Sequence, residues 1–187
     1  MASDVQICNL ALQKLGQPAL ISLADNSRAG RECANAFAPA RDAVLRDHPW
    51  NFALERAALA ELSTAPAWGY FHQYQLPADC LRVLEVEGDG QYPWKLEGGR
   101  LLSDAGAPLH IRYVRRVSDP TLFDSLFVHA LAARLAYELA EALTQSNTKK
   151  DQAAQDYSAL LRMAKRADGQ EGSPDDYPED DWVTVRG

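Results

Sequence analysis

The apolar residues of this chain change period twice, and those two changes constrain the fold before any single motif is considered. Up to about Asp47 they recur every three or four positions, the spacing of one helix face. Between Trp50 and Ser118 they alternate along short runs and cluster with aromatics. From Asp119 the helical spacing returns and holds to about Ala167. A chain patterned in this way is α+β and mainly α, a helical bundle carrying a small antiparallel β-rich insertion and ending in an extended acidic C-terminal tail. The expected parts are a helical part of the bundle over 1–49, the β-rich insertion over 50–118, a long helical hairpin completing the bundle over 119–167, and the tail over 168–187. A length of 187 residues suits one such core with a small inserted unit.

Local signals place the elements. Ser3 caps a first helix with Val5, Cys8, Leu12 and Leu15 on one face, and Gly16 followed by Gln17-Pro18 ends it. After a loop over 17–26, with Asp25, Asn26 or Ser27 as cap, a second helix runs to Asp47 and is stopped by His48-Pro49. Pro39 falls inside that helix, so a kink or break is expected there. In the insertion, Leu81–Glu87 and Leu109–Arg115 alternate as strands. Trp94–Glu97 and Arg100–Leu102 form a hairpin around Gly98-Gly99, and Asn51–Leu59 reads equally as helix or strand. Asp119-Pro120 caps and opens the long helix, whose stripe is Leu122, Phe123, Leu126, Phe127, Leu131, Leu135, Leu139 and Leu143. Ser146-Asn147 breaks it and caps a last helix, which should pack antiparallel on it.

Charge narrows the function. The formal net charge is −7, yet the residues from Asp168 onward carry −6 of it, leaving −1 on the first 167. No basic stripe exists, so the footprint of a nucleic-acid binder is missing. No apolar run approaches the roughly 18 residues of a membrane span, and the first thirty residues lack the pattern of a secretory signal. Cys8, Cys33 and Cys80 include no CxxC pair and read as buried reduced thiols in a cytosolic setting.

Catalytic chemistry is hard to assemble. His48, His72, His110 and His129 are scattered, and His129 reads as a core or interface histidine. Phosphate-cradle, zinc-protease and calcium-loop motifs are absent, and no glycine opens a helix as a phosphate site requires. A Cys80–His72 nucleophile pair lacks an orienting third group and an oxyanion donor. Catalytic residues, cofactor-binding residues and metal ligands are therefore all expected to be none. The remaining notable side chains read as structural anchors: Trp50 and Phe52 after Pro49, with Trp68, Tyr74 and Tyr113 in the insertion. Arg134 interrupts its apolar stripe, either as a snorkelling rim residue or as an ion-pair partner between subunits. Trp182, Val183 and Val185 end the acidic arm and are candidates to bury against a neighbouring subunit or another partner, a disordered solubilising tail being the alternative.

Three blocks of sequence, in order, resemble one known family. The first is Ile7-Cys8-Asn9-Leu10-Ala11-Leu12 with Leu15-Gly16, then Arg41 and Leu45 ahead of His48-Pro49-Trp50-Asn51-Phe52-Ala53, then Ala57 to Leu59. The second is Trp68-Gly69-Tyr70, Tyr74 and Leu76-Pro77-Ala78-Asp79-Cys80-Leu81-Arg82-Val83. The third is Ile111-Arg112-Tyr113-Val114, Asp119-Pro120, Phe123-Asp124, Ala132-Ala133-Arg134-Leu135-Ala136 and Glu138-Leu139-Ala140. Over about residues 5 to 167 this set resembles the tail tubular protein A family, the gatekeepers or head-to-tail adaptors of short-tailed bacteriophages. The resemblance implies a non-enzymatic virion protein, made in the host bacterial cytoplasm and placed at the head–tail junction. It implies a homo-oligomeric ring, commonly of twelve copies, bound to the portal protein above and to a tail nozzle protein of the tail tubular B type below, with tail fibres as further neighbours. Genomic DNA would pass through its lumen without specific binding, and no cofactor or membrane is involved. A monomeric phage assembly factor or binding module with no permanent place in the virion is the alternative, and a small enzyme using the Cys80 region is a third reading.

Overall fold

The computed structural model describes residues 2–88 and 90–171, and the fold is α+β and mainly α. Helix α1 (Asp4–Leu15) opens with a reciprocal capping box: the Ser3 hydroxyl accepts from Gln6 N–H, and the Gln6 side chain accepts from Ser3 N–H. It closes at Gly16, whose φ of 69° suits a residue without a side chain. Helix α2 (Arg28–Asp47) is capped by Ser27 and ends where His48 turns extended ahead of Pro49.

The break expected at Pro39 does not occur, and α2 runs through it. Pro39 and Asn35 both lie on the exposed face, so the carbonyl deprived of its N–H partner turns to water and not to the core.

After a 3-10 turn at Asn51–Ala53 come β1 (Leu54–Leu59), β2 (His72–Gln75), β3 (Cys80–Val86), β4 (Trp94–Glu97), β5 (Arg100–Ser103) and β6 (Leu109–Arg115). They form two antiparallel three-stranded sheets, β1-β6-β3 and β2-β5-β4, where the sequence pointed to one. Asn51–Leu59 thus resolves into a 3-10 turn followed by a strand, and the Gly98-Gly99 hairpin is present as β4–β5.

The β1-β6-β3 sheet is the middle layer. Leu109, Ile111 and Tyr113 of β6, with Val83 and Val86 of β3 and Leu59 of β1, pack against Tyr74 and Leu101 of the second sheet and Ala105 just after it. On the opposite face Val114, Leu54, Leu81 and Leu84 join the core of the bundle. The rest of that face is polar, with Arg112 reaching Glu85 and His110 meeting Glu87.

The bundle closes with α3 (Ser125–Thr144) and α4 (Asn147–Asp168). Gln145 and Ser146 alone join them, and their contacts run antiparallel: Arg134 stands over Tyr157, while Glu141 pairs with Lys150. Two boundaries differ from the sequence reading. Asp119 does cap a turn started by Pro120, but this is a three-residue 3-10 turn. Asp124 then caps the long helix afresh, its Oδ1 accepting from Leu126 N at 2.8 Å and Phe127 N at 3.1 Å. Leu122 and Phe123 are therefore not on the helical stripe. Asp168, expected to open the tail, is instead the last residue of α4.

Candidate docking surfaces

Trp50 and Phe52 form the joint between bundle and sheet. Trp50 is wholly buried and donates its indole N–H to Val44 O at 2.9 Å. Its ring meets Phe127 edge-on at 5.1 Å. Phe52 and Phe123 each lie 5.0 Å from Phe127, which completes a four-ring cluster. His48 packs against Trp50, and its Nε2 lies 2.9 Å from Asp168 Oδ2. Asn51 N–H donates to Asp168 Oδ1, and the Asn51 amide donates to Asp168 O, so the end of α4 is fastened to this joint.

The Leu76–Val83 stretch turns the chain into β3. Cys80 N–H donates to Pro77 O at 3.0 Å, Arg116 N–H donates to Asp79 O at 2.7 Å, and the Tyr113 hydroxyl donates to Asp79 Oδ1 at 3.3 Å. Tyr74 is buried and donates to Ala105 O, so Tyr74 and Tyr113 stand where anchors were expected.

Trp68 is no anchor: it is 86% exposed. It belongs to the connection between β1 and β2, beside Gly69 at φ 88°, on the outer side of the second sheet. The inner side of that sheet is already filled by Tyr74 and Leu101. Phe71, which the sequence reading did not single out, is 75% exposed, and its N–H donates to Asp104 Oδ1 at 3.0 Å. Trp68, Tyr70, Pro66 and Pro93 rim an open groove of about 490 Å³ whose floor includes Leu102. Apolar and aromatic surface left uncovered together marks a place where another surface docks.

Arg134 is half-buried and has its partners within the chain. It pairs with Glu138 at 2.7 Å and lies over the Tyr157 ring at 5.5 Å from its centre. The single-chain, stem-packing reading of Arg134 accounts for both contacts. Trp182, Val183 and Val185 lie outside the described residues.

The groups once considered for chemistry are dispersed. His72 Nδ1 lies 2.7 Å from Glu61 at the start of β2, while Cys80 starts β3 in the other sheet, where burial and then the neighbouring Asp79 push its thiol up. Cys8 and Cys33 are buried together between α1 and α2, and a hydrogen bond with Cys33 followed by burial pushes the Cys8 thiol far up. His129 is exposed on α3, and so it is not a core histidine. Among the described residues no group of three or more His, Cys, Asp or Glu side chains is placed to hold a metal ion, and no helix is long and apolar enough to cross a membrane.

No protein-family model matches this chain, and a search of curated proteins finds no match.

Proposed function

We propose that this chain is a structural head-to-tail adaptor subunit of a short-tailed bacteriophage. In this reading it assembles as a ring between the portal protein and the tail nozzle, and DNA passes through the lumen. The observation that carries the reading is the division of labour among its motifs. The His48–Ala53 and Leu76–Val83 blocks build the joint and the turn that fix the bundle to the sheets. The Trp68-Gly69-Tyr70 block stands outside, leaving an aromatic lip that none of the other described residues covers. A subunit destined for permanent contact with other chains needs such a surface, and a self-contained monomer does not. The α+β architecture, a bundle with a β-rich insertion, agrees with the one the resemblance implies.

Electron microscopy of the purified protein mixed with its portal ring tests the proposal, with the Trp68→Ser/Phe71→Ser double variant alongside. An added coaxial ring with the unaltered protein, weakened or lost in the variant, is the expected result. A protein that stays off the portal well above micromolar concentration overturns it and favours the monomeric assembly factor.

A further inference from the structure

Arg46 lies in the last turn of α2, and Arg82 sits on the edge strand β3; both are exposed. Each guanidinium donates to a main-chain carbonyl of the other's neighbourhood: Arg46 Nη1 to Leu81 O, and Arg82 Nη1 to Arg46 O at 3.5 Å. The two cations are thereby held across one open cleft of about 450 Å³, lined also by Ala43 and Asp47. Among the described residues neither Arg46 nor Arg82 pairs with a carboxylate. Arg41, Arg112, Arg115, Arg116 and Arg134 each do. Asp47, the acid in the cleft wall, is engaged elsewhere, since its Oδ2 accepts from the Tyr157 hydroxyl at 2.9 Å. Two like charges held on one cleft favour an anion between them, and a carboxylate fits the guanidinium fork.

The chain supplies that carboxylate close by. Asp168, the last residue of α4, is fastened to His48 and Asn51, and His48 follows Arg46 by two residues, just past the end of α2. Beyond Asp168 the sequence carries Asp175, Asp176, Glu179, Asp180 and Asp181 against the single base Arg186. Gln170 N–H donates to Ala167 O and Glu171 N–H to Asp168 O, so the free reach begins at Glu171; from there the chain spans at most about 13 Å to residue 175 and about 33 Å to residue 181, at about 3.3 Å per extended residue. We propose that the acidic segment 175–181 of this same chain docks in the Arg46–Arg82 cleft, lying across the joint between α2 and β3. This docking is independent of the ring reading.

Carbodiimide coupling of the full chain carrying Arg82→Lys, and separately Arg46→Lys, tests it, because either substitution keeps the charge and adds an amine. The expected product is a monomer with position 82 or 46 joined to a carboxylate within 175–181. Its yield should be unchanged on dilution and should fall in about 1 M salt, where screening reaches about 3 Å. The Lys14–Asp156 and Lys150–Glu141 pairs provide internal controls that the bundle is intact. Neutralising the segment (Asp175→Asn, Asp176→Asn, Glu179→Gln, Asp180→Asn, Asp181→Asn) should abolish the new link while leaving the controls. A link found only in dimers would assign the cleft to a second copy and overturn the proposal, as would coupling to Asp47 or Glu85 alone.

Discussion

Asp168 Oδ2 lies 2.9 Å from His48 Nε2, so the last residue of α4 closes on the residue that ends α2. The same carboxylate accepts from Asn51 N–H at 3.0 Å, and both side chains of the His48–Asp168 pair are mostly shielded from solvent. Asp168→Ala removes two hydrogen bonds to a charged acceptor and should cost about 1–3 kcal/mol. Urea unfolding should show a lower midpoint with an unchanged slope. A chain ending after residue 167 should be destabilised by at least as much, and one ending after residue 171 should not. Equal stability of the two truncations would mean that the tie at the joint contributes nothing.

Trp50 and Trp68 should behave oppositely. Trp50→Ala removes a wholly buried member of the four-ring cluster and should cost about 3–5 kcal/mol. Trp50→Phe keeps most of the packing but leaves Val44 O without its indole donor, so an intermediate loss of about 1–3 kcal/mol is expected. Trp68→Ala should stay within about 0.5 kcal/mol of the parent, because that side chain is exposed. Denaturant titration of the three variants checks the order, and a Trp68 variant as damaged as the Trp50 variants would refute the assignment of Trp68 to the surface.

Tyr113 and Tyr157 should lose their protons late. Burial raises both, with Asp79 adding to the effect at Tyr113 and a hydrogen bond to Asp47 at Tyr157, and each is pushed up to about 12. Because the folded value lies above the unfolded one, the stability this confers is full below the ordinary value of 10.0. It is lost as pH rises through about 12. Burial, and then Glu61, also raises Tyr74, so ultraviolet absorbance of tyrosinate should show these three of the seven tyrosines titrating after the ordinary range. The urea midpoint should fall across the same interval. Tyr157→Phe should flatten part of that fall.

How much of this was legible in the sequence depends on how local each cause is. The Ser3 cap, the Gly16 stop, the His48-Pro49 stop and the Gly98-Gly99 hairpin rest on interactions within a few residues, and all appear where expected. Asp119 and Asp124 are both competent caps five residues apart, and only the packing of Phe123 and Phe127 selects the second for the long helix. Trp50 and Trp68 differ in burial for a reason outside their own segments: one points at α3, while the other borders a sheet whose inner face is already filled. Pro39 was tolerated because the affected turn faces water. Arg46 and Arg82 lie 36 positions apart, so their shared cleft could not be read from either strand or helix alone.

The three thiols should separate by access, and their rates bear directly on the enzymatic reading. Cys8 and Cys33 have no exposed surface, and Cys80 is half-buried. Burial, with Asp79 beside it, also raises the Cys80 thiol, which leaves little thiolate at neutral pH to attack a reagent. With an excess of a small disulfide reagent, Cys80 should react first but more slowly than an unfolded peptide thiol. Cys8 and Cys33 should react only at the rate at which the bundle opens, and therefore faster as denaturant is added. Iodoacetamide labelling with peptide mapping assigns each rate. A Cys80 that reacted in the native protein faster than a free thiol would require an activating base near it. His72 is engaged with Glu61 and sits in the other sheet, so a fast reaction would also contradict the placement of β2 and β3 described above.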